Sequence, residues 1–185
     1  MVSLTALWLP ILVSAVVVFI ASSTMHTVLK YHQSDCKQLP EEDKLLAAMR
    51  AAGVTPGFYI LPYSLPKDMK SEAMMEKYKQ GPVGMMTIIS NGPPEMPKFL
   101  GQWFGYCLLI SFFVAYLTGH TVAFGAPYPA VFRVVGTAAF LAYGVGQISN
   151  GIWKGQPWGM TIKEVLDGLV YGLLTAGVFG WLWPR

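Results

Sequence analysis

Charge is what this sequence has least of. Only 12% of its residues are Asp, Glu, Lys or Arg, where soluble globular domains carry about 25%. A chain of this length cannot cover a soluble surface with so few charges, which excludes an ordinary soluble enzyme. The charges present are also segregated. Nine of the thirteen Lys and Arg and eight of the ten Asp and Glu fall between Lys30 and Lys98. A net charge of +3 is too small to make a nucleic-acid surface, and no nucleic-acid partner is expected.

Other absences narrow the field further. There are two cysteines, and Cys36 lies in the charged region whereas Cys107 lies inside an apolar run, so no structural disulfide is expected. No H-E-x-x-H, G-x-S-x-G, Walker loop or C-x-x-C occurs. The common metalloprotease, serine-hydrolase, nucleotide-binding and thiol-redox signatures are therefore missing. No internal repeat points to an inverted-repeat transporter. No Lys or Arg precedes Leu4. The basic start of a cleavable signal peptide is thus lacking, and the first apolar run reads as a retained helix, kinked at Pro10.

What fills the chain is hydrophobic sequence, 54% of it. Four apolar stretches run Leu4–Ser23, Phe99–Leu117, Val134–Ile148 and Gly168–Trp183. A hydrocarbon core about 30 Å thick needs about 20 helical residues. The first two stretches have that length, and Tyr128–Phe132 and Lys163–Asp167 extend the other two. The expected fold is an all-α transmembrane four-helix bundle, a single integral membrane domain over 1–185 with spans at 4–23, 99–117, 130–148 and 165–183.

Between the first two spans lies a small α+β insertion, residues 30–98. Leu39-Pro40-Glu41-Glu42-Asp43 starts a helix, with proline in its first turn and acids at the positive end of the dipole, and Gly53 ends it. Phe58–Leu61 and Val83–Ile89 read as strands, and Lys70–Lys79 as a second helix. The two strands either pair or lie along the membrane interface. A segment this short builds little core of its own and is expected to rest on the bundle or on a partner. Lys30, Lys37, Lys98, Lys154 and Lys163 fall on one side of the spans and Arg133 and Arg185 on the other, so the insertion is placed in the cytoplasm and both termini outside. Trp103, Trp153, Trp158, Trp181 and Trp183 mark span ends as interfacial anchors.

Gly168, Gly172, Ala176 and Gly180 recur every four residues, and Ala138, Ala142 and Gly146 do the same in the third span. Such ridges let helix backbones approach closely in lipid. Packing within the chain is the expected role, and an interface with another protein or a second copy is the alternative.

The chemical candidates are few. His26, His32 and Cys36 form a possible soft-metal group, because imidazole with thiolate suits copper(I) or zinc. Their spacing argues against it: His32 and Cys36 share a helical face, but six residues place His26 about 240° round a helix. No cofactor is therefore expected. Asp167 is the acid nearest the lipid and the candidate for an ion or proton role. Its alternative role is to complement the helix N-terminus beside Lys163. Tyr106, Tyr116, Tyr143, Gln147 and Tyr171 belong to a polar seam whose hydroxyls and amide are expected to bond neighbouring helices.

The stretches His26-Thr27-Val28-Leu29-Lys30-Tyr31-His32, Ile152-Trp153-Lys154-Gly155-Gln156-Pro157-Trp158 and Phe179-Gly180-Trp181-Leu182-Trp183-Pro184 resemble those of small, uncharacterised four-helix bacterial inner-membrane proteins. That resemblance implies a bacterial inner-membrane location and brings no assigned activity, cofactor or site. The leading expectation is a non-enzymatic accessory or scaffold subunit that binds another membrane protein or complex, with the lipid bilayer as its surroundings. A small oligomeric transporter or channel is the second reading, and a membrane metal-handling protein or enzyme the third.

Overall fold

The computed structural model describes residues 1–185. Ser3 opens the first helical segment, its hydroxyl accepting from the Ala6 N–H over a 3-10 turn at Leu4–Leu7. Helix α1 (Trp8–Thr27) follows directly. At Pro10, where a kink is expected, the helix has only just entered its α-turns. Winding changes from 3-10 to α just ahead of it, so Pro10 falls in the first α-turn, where its missing N–H has no intrahelical partner to lose.

A 3-10 turn at Lys30–Asp35 leads into the insertion, which contains α2 (Glu42–Ala51), β1 (Gly57–Leu61), α3 (Glu72–Gln80) and β2 (Gly84–Ile88). Gly53 takes a φ of +70° after α2, the left-handed turn that favours glycine at a helix end. Ser71 caps α3 by accepting from the Met74 N–H. The two strands pair antiparallel, Phe58 opposite Thr87 and Ile60 opposite Met85. Only Met74 is buried in these four elements, and none of them packs broadly on the long helices. The expected seat on the bundle is thus missing, and apolar side chains of the segment such as Leu45, Phe58 and Ile60 stay exposed.

The long helices come next: α4 (Met96–Thr121), α5 (Tyr128–Tyr143), the short α6 (Ile148–Trp153) and α7 (Trp158–Trp181). Three segments, Leu4–Thr27, Met96–Thr121 and Tyr128–Trp153, are long and apolar enough to cross a membrane. The third is not one continuous α-helix. It tightens to a 3-10 turn at Val145–Gln147, which follows Gly144 and contains Gly146, residues that hold helical winding weakly. Helix α7 is 24 residues long, but Lys163, Glu164 and Asp167 near its start leave it outside that class.

The helices share one core. Fully buried residues come from α1 (Ala15, Val18), α4 (Cys107, Ala115), α5 (Val135, Ala139) and α7 (Ala176, Phe179). Outward faces are apolar as well: Ile20, Phe113, Leu141 and Leu166 are each more than half exposed. Helices that are hydrophobic all round belong in a core or in lipid.

The α7 ridge faces α5. A Cβ on Gly168 would collide with the backbone of Tyr143 and Gly144, one on Gly172 would meet Phe140, and one on Gly180 would strike the Tyr128 ring. Ala176 lies against Gly136. The ridge read on the third span is not the one that answers it. Gly136, Phe140 and Gly144 form the α5 side of this contact, while Ala138 is half-buried and Ala142 and Gly146 are exposed. The 3-10 turn rotates Gly146 off the line that begins at Ala138.

Two ends of the bundle can be told apart by their contacts. At one, the Val2 N–H donates to Gly119 and the Gly125 N–H donates to Pro184, so both chain termini are tied to the α4–α5 loop. At the other, the Lys30–Asp35 turn meets the start of α7. Trp153, Trp158 and Trp181 are exposed, as anchors need to be. Trp183 and Trp103 instead turn inward, because their indole N–H groups find partners in the Ala123 carbonyl and the Ser22 hydroxyl.

Candidate metal centre

The site forms where the chain leaves α1. In the last turn of that helix, Nδ1 of His26 lies 2.9 Å from the Ser22 carbonyl. A carbonyl only accepts, so Nδ1 carries the proton and Nε2 keeps its lone pair. Leu29 then goes extended, and the 3-10 turn after it carries Tyr31, His32 and Asp35 across the start of α7. Helix α7 presents Lys163 and Asp167 one turn apart on the same side.

Asp167 is only 4% exposed, and a buried carboxylate needs partners. Its Oδ1 accepts from the Tyr31 hydroxyl. Its Oδ2 lies 2.8 Å from His32 Nε2. The other ring nitrogen of His32, Nδ1, lies 2.7 Å from Asp35 Oδ2. Lys163 secures the whole turn, donating to Asp35 Oδ1 at 2.6 Å, the Tyr31 carbonyl at 2.7 Å and the Ser34 hydroxyl at 2.8 Å.

These contacts set the protonation preferences. Burial pulls the His32 imidazole down, but hydrogen bonds to Asp35 and Asp167 and their negative charges outweigh it and raise its pKa above the ordinary value. The Lys163 ammonium, with a smaller contribution from His32, holds the Asp35 carboxyl below its usual range against the opposing effect of burial. Tyr31 is pushed up by burial first, then by its hydrogen bond to Asp167 and the charges of Asp167 and Asp35.

His26 stands apart from this network. Its Nε2 is 4.0 Å from Asp167 Oδ2, beyond hydrogen-bond reach. Its ring is stacked on His32, centroids 4.6 Å apart and planes 9° from parallel. One ligand atom each from His26, His32 and Asp167 lie within 4.8 Å of one another. Two imidazole nitrogens and one carboxylate oxygen make a donor set that suits zinc and other borderline divalent ions.

The surroundings match what metal ligands require. A ligating histidine donates its far N–H to a carboxylate or a backbone carbonyl, and a ligating carboxylate is itself hydrogen-bonded. Here His32 has Asp35, His26 has the Ser22 carbonyl, and Asp167 has Tyr31. A cavity of about 150 Å³ adjoins His26 and Asp167 and reaches Glu164, whose Oε2 accepts from the Gln156 amide at 2.7 Å.

Of the residues the sequence suggests for metal, His26 and His32 come together and Cys36 does not join them. Cys36 is exposed, on extended backbone that leads away from the turn. Asp167, singled out separately, stands in its place. The angular objection to His26 does not apply, because α1 stops at Thr27 and the two histidines do not share a helix. Tyr31, Asp35, Lys163 and Ser22 escape the sequence reading. The local steps Ser22–His26, His32–Asp35 and Lys163–Asp167 are the signals that could have found three of them, while the pairing of the turn with α7 across more than 120 positions leaves no local pattern. Tyr143 and Tyr171 also depart from expectation, as neither hydroxyl finds a protein partner.

Set against known protein families, curated proteins and solved structures, the chain matches none of them.

Proposed function

We propose that the chain is a four-pass integral membrane protein of a bacterial inner membrane, built around a divalent metal centre of the zinc class. His26 Nε2, His32 Nε2 and Asp167 Oδ2 are the ligands. Both termini lie outside, and the Lys30–Lys98 segment and the centre lie at the cytoplasmic end. In this reading α7 is the fourth span, with its acids and Lys163 at the headgroup level.

The observation that carries the reading is His26. A purely structural latch explains Tyr31, His32, Asp35 and Lys163, which are all hydrogen-bonded. It leaves unexplained a second imidazole, held by Ser22 with its Nε2 4.0 Å from the same carboxylate oxygen. Zinc holds nitrogen at about 2.0–2.1 Å and carboxylate oxygen at about 2.0–2.2 Å, which puts its ligand atoms on the order of 3–4 Å apart. The three atoms need to move little to meet that. Three protein ligands with one open position are the pattern of reactive rather than structural zinc sites, and the adjoining cavity supplies the opening.

Metal analysis of the detergent-purified protein tests this. One zinc or cobalt per chain is expected in the wild type after supplementation, and less than a tenth of that in Asp167→Asn. Wild-type protein that holds no more metal than that variant refutes the centre.

One further observation keeps the accessory-subunit reading as a second proposal. The outer face of the hairpin exposes Phe58 (58%), Ile60 (44%) and Met85 (43%), which the bundle does not cover. Native mass spectrometry of protein from its own host decides it: a stoichiometric partner supports docking, and a bare chain argues against it.

A further inference from the structure

Acidic side chains are confined to one end of this bundle and the insertion beside it. No Asp or Glu precedes Asp35, none lies between Glu95 and Glu164, and none follows Asp167. The opposite end, where the α4–α5 loop is tied to Val2 and Pro184, has Arg133 and Arg185 as its charged side chains. No carboxylate side chain balances them there, and every ion pair of the chain lies elsewhere.

Arg133 stands five residues beyond Tyr128, the first residue of α5. At 1.5 Å per residue that is about 7.5 Å into the helix. A charge at such a depth in a membrane costs free energy unless it reaches water or an opposite charge.

A groove begins at the same residue. Arg133, Val134, Thr137, Ala138 and Leu141 of α5 and Leu117 of α4 line about 390 Å³ on the outside of the bundle. Arg133, Thr137 and Leu141 are spaced four residues apart and so follow one line down the helix face. From first to last that line covers about 12 Å, from the loop end toward the middle of the span. Leu117 is 44% and Leu141 55% exposed, so the groove opens away from the core. Reaching to water would satisfy the guanidinium alone and leave the apolar groove beneath it without a role.

Charge and shape together select the guest. The counter-charge must come from outside the chain, since this end supplies no acidic side chain. An inorganic anion would use the guanidinium and none of the groove, and an uncharged apolar guest would do the reverse. A zwitterionic lipid would set an ammonium beside Arg133, where no carboxylate side chain receives it. An anionic phospholipid brings a phosphate that takes the guanidinium through two parallel hydrogen bonds, an acyl chain for the groove, and no positive charge.

We propose that the α4–α5 groove binds one anionic phospholipid, its phosphate on Arg133 and an acyl chain along Val134, Ala138 and Leu141. The inference rests on the bilayer reading of the long helices. It does not rest on the metal centre, which lies at the other end of the bundle.

The test titrates the full chain in detergent micelles with dimyristoyl phosphatidylglycerol and, separately, with dimyristoyl phosphatidylethanolamine, read by native mass spectrometry. Saturable binding of one phosphatidylglycerol per chain is expected, in preference to phosphatidylethanolamine. Arg133→Gln should weaken it roughly tenfold or more, as loss of a hydrogen bond between charged groups does, and erase the preference. Arg133→Lys should keep the preference, because the charge remains. Thr137 is exposed, so Thr137→Phe fills the groove without entering the core and should lower phosphatidylglycerol affinity. Equal binding of the two lipids overturns the inference by showing an ordinary lipid coat. A preference that survives Arg133→Gln overturns it by placing the site elsewhere. Inorganic phosphate that competes as well as the lipid shows a soluble-anion site, and a dimer that excludes lipid shows a second chain in the groove; either result also overturns it. Carbonate extraction of membranes checks the bilayer reading separately: a chain released by carbonate removes that reading and the lipid site with it.

Discussion

The Asp35 carboxylate lies 2.7 Å from His32 Nδ1 on one oxygen and 2.6 Å from Lys163 Nζ on the other. It binds no candidate ligand atom directly, yet it fixes which way the His32 ring faces. Asp35→Asn keeps the shape and removes the charge. Zinc affinity is expected to fall about 10- to 100-fold, the usual effect of losing such a partner, while saturating metal still reaches one per chain. Titration with a competing chelator measures it.

Lys163 holds the Tyr31–Asp35 turn through one carbonyl, one hydroxyl and one carboxylate. Lys163→Met keeps the length of the side chain and loses all three contacts. Amide hydrogen exchange over residues 30–36 is expected to accelerate, while exchange in the interior of α7 stays unchanged. Equal acceleration along α7 would show that the lysine supports the helix rather than the turn.

Small residues along α7 and α5 separate into those that a methyl group would break and those it would not. At Gly168 the added carbon meets the backbone of Tyr143 and Gly144, which cannot rotate away. Gly168→Ala is expected to destabilise the bundle by about 1–3 kcal/mol or more, as overpacking does. Gly146 has open space around its Cβ direction, and Gly146→Ala should be neutral or slightly stabilising. Thermal unfolding in one detergent compares the two.

Cys36 is exposed at the end of the turn, and Cys107 is buried in α4. A membrane-impermeant maleimide is therefore expected to label Cys36 alone. Labelling should occur in inverted vesicles and be absent in intact spheroplasts. The reverse pattern would invert the proposed orientation.

Local pattern made the elements of this fold readable. Apolar length marked α1 and α4, Pro40 with its following acids marked α2, and Gly53 and Asn91-Gly92 marked the ends of the insertion's elements. The break in the third span was missed because Gly146 reads as the last member of the small-residue ridge that begins at Ala138. The effect of Gly144 and Gly146 on winding depends on α7 pressing against Tyr143 and Gly144. The metal cluster was half legible. Histidines and an aspartate at span ends stand out in so uncharged a chain. What joined His32 to Asp167 is a reversal of direction after Thr27, and no spacing rule relates residues that meet only through tertiary structure.

The same long separation fixes when the site can exist. Its histidines leave the ribosome early, and Asp167 follows 135 positions after His32. Tyr128 and Phe140, which seat α7, also come late, and the Pro184 contact with Gly125 comes later still. A nascent chain with its first three apolar segments made therefore has two imidazoles and Asp35, but not the Asp167 carboxylate that lies near both rings. At the proposed centre, loading with metal waits for Asp167, and a product truncated before that residue carries only an incomplete ligand set.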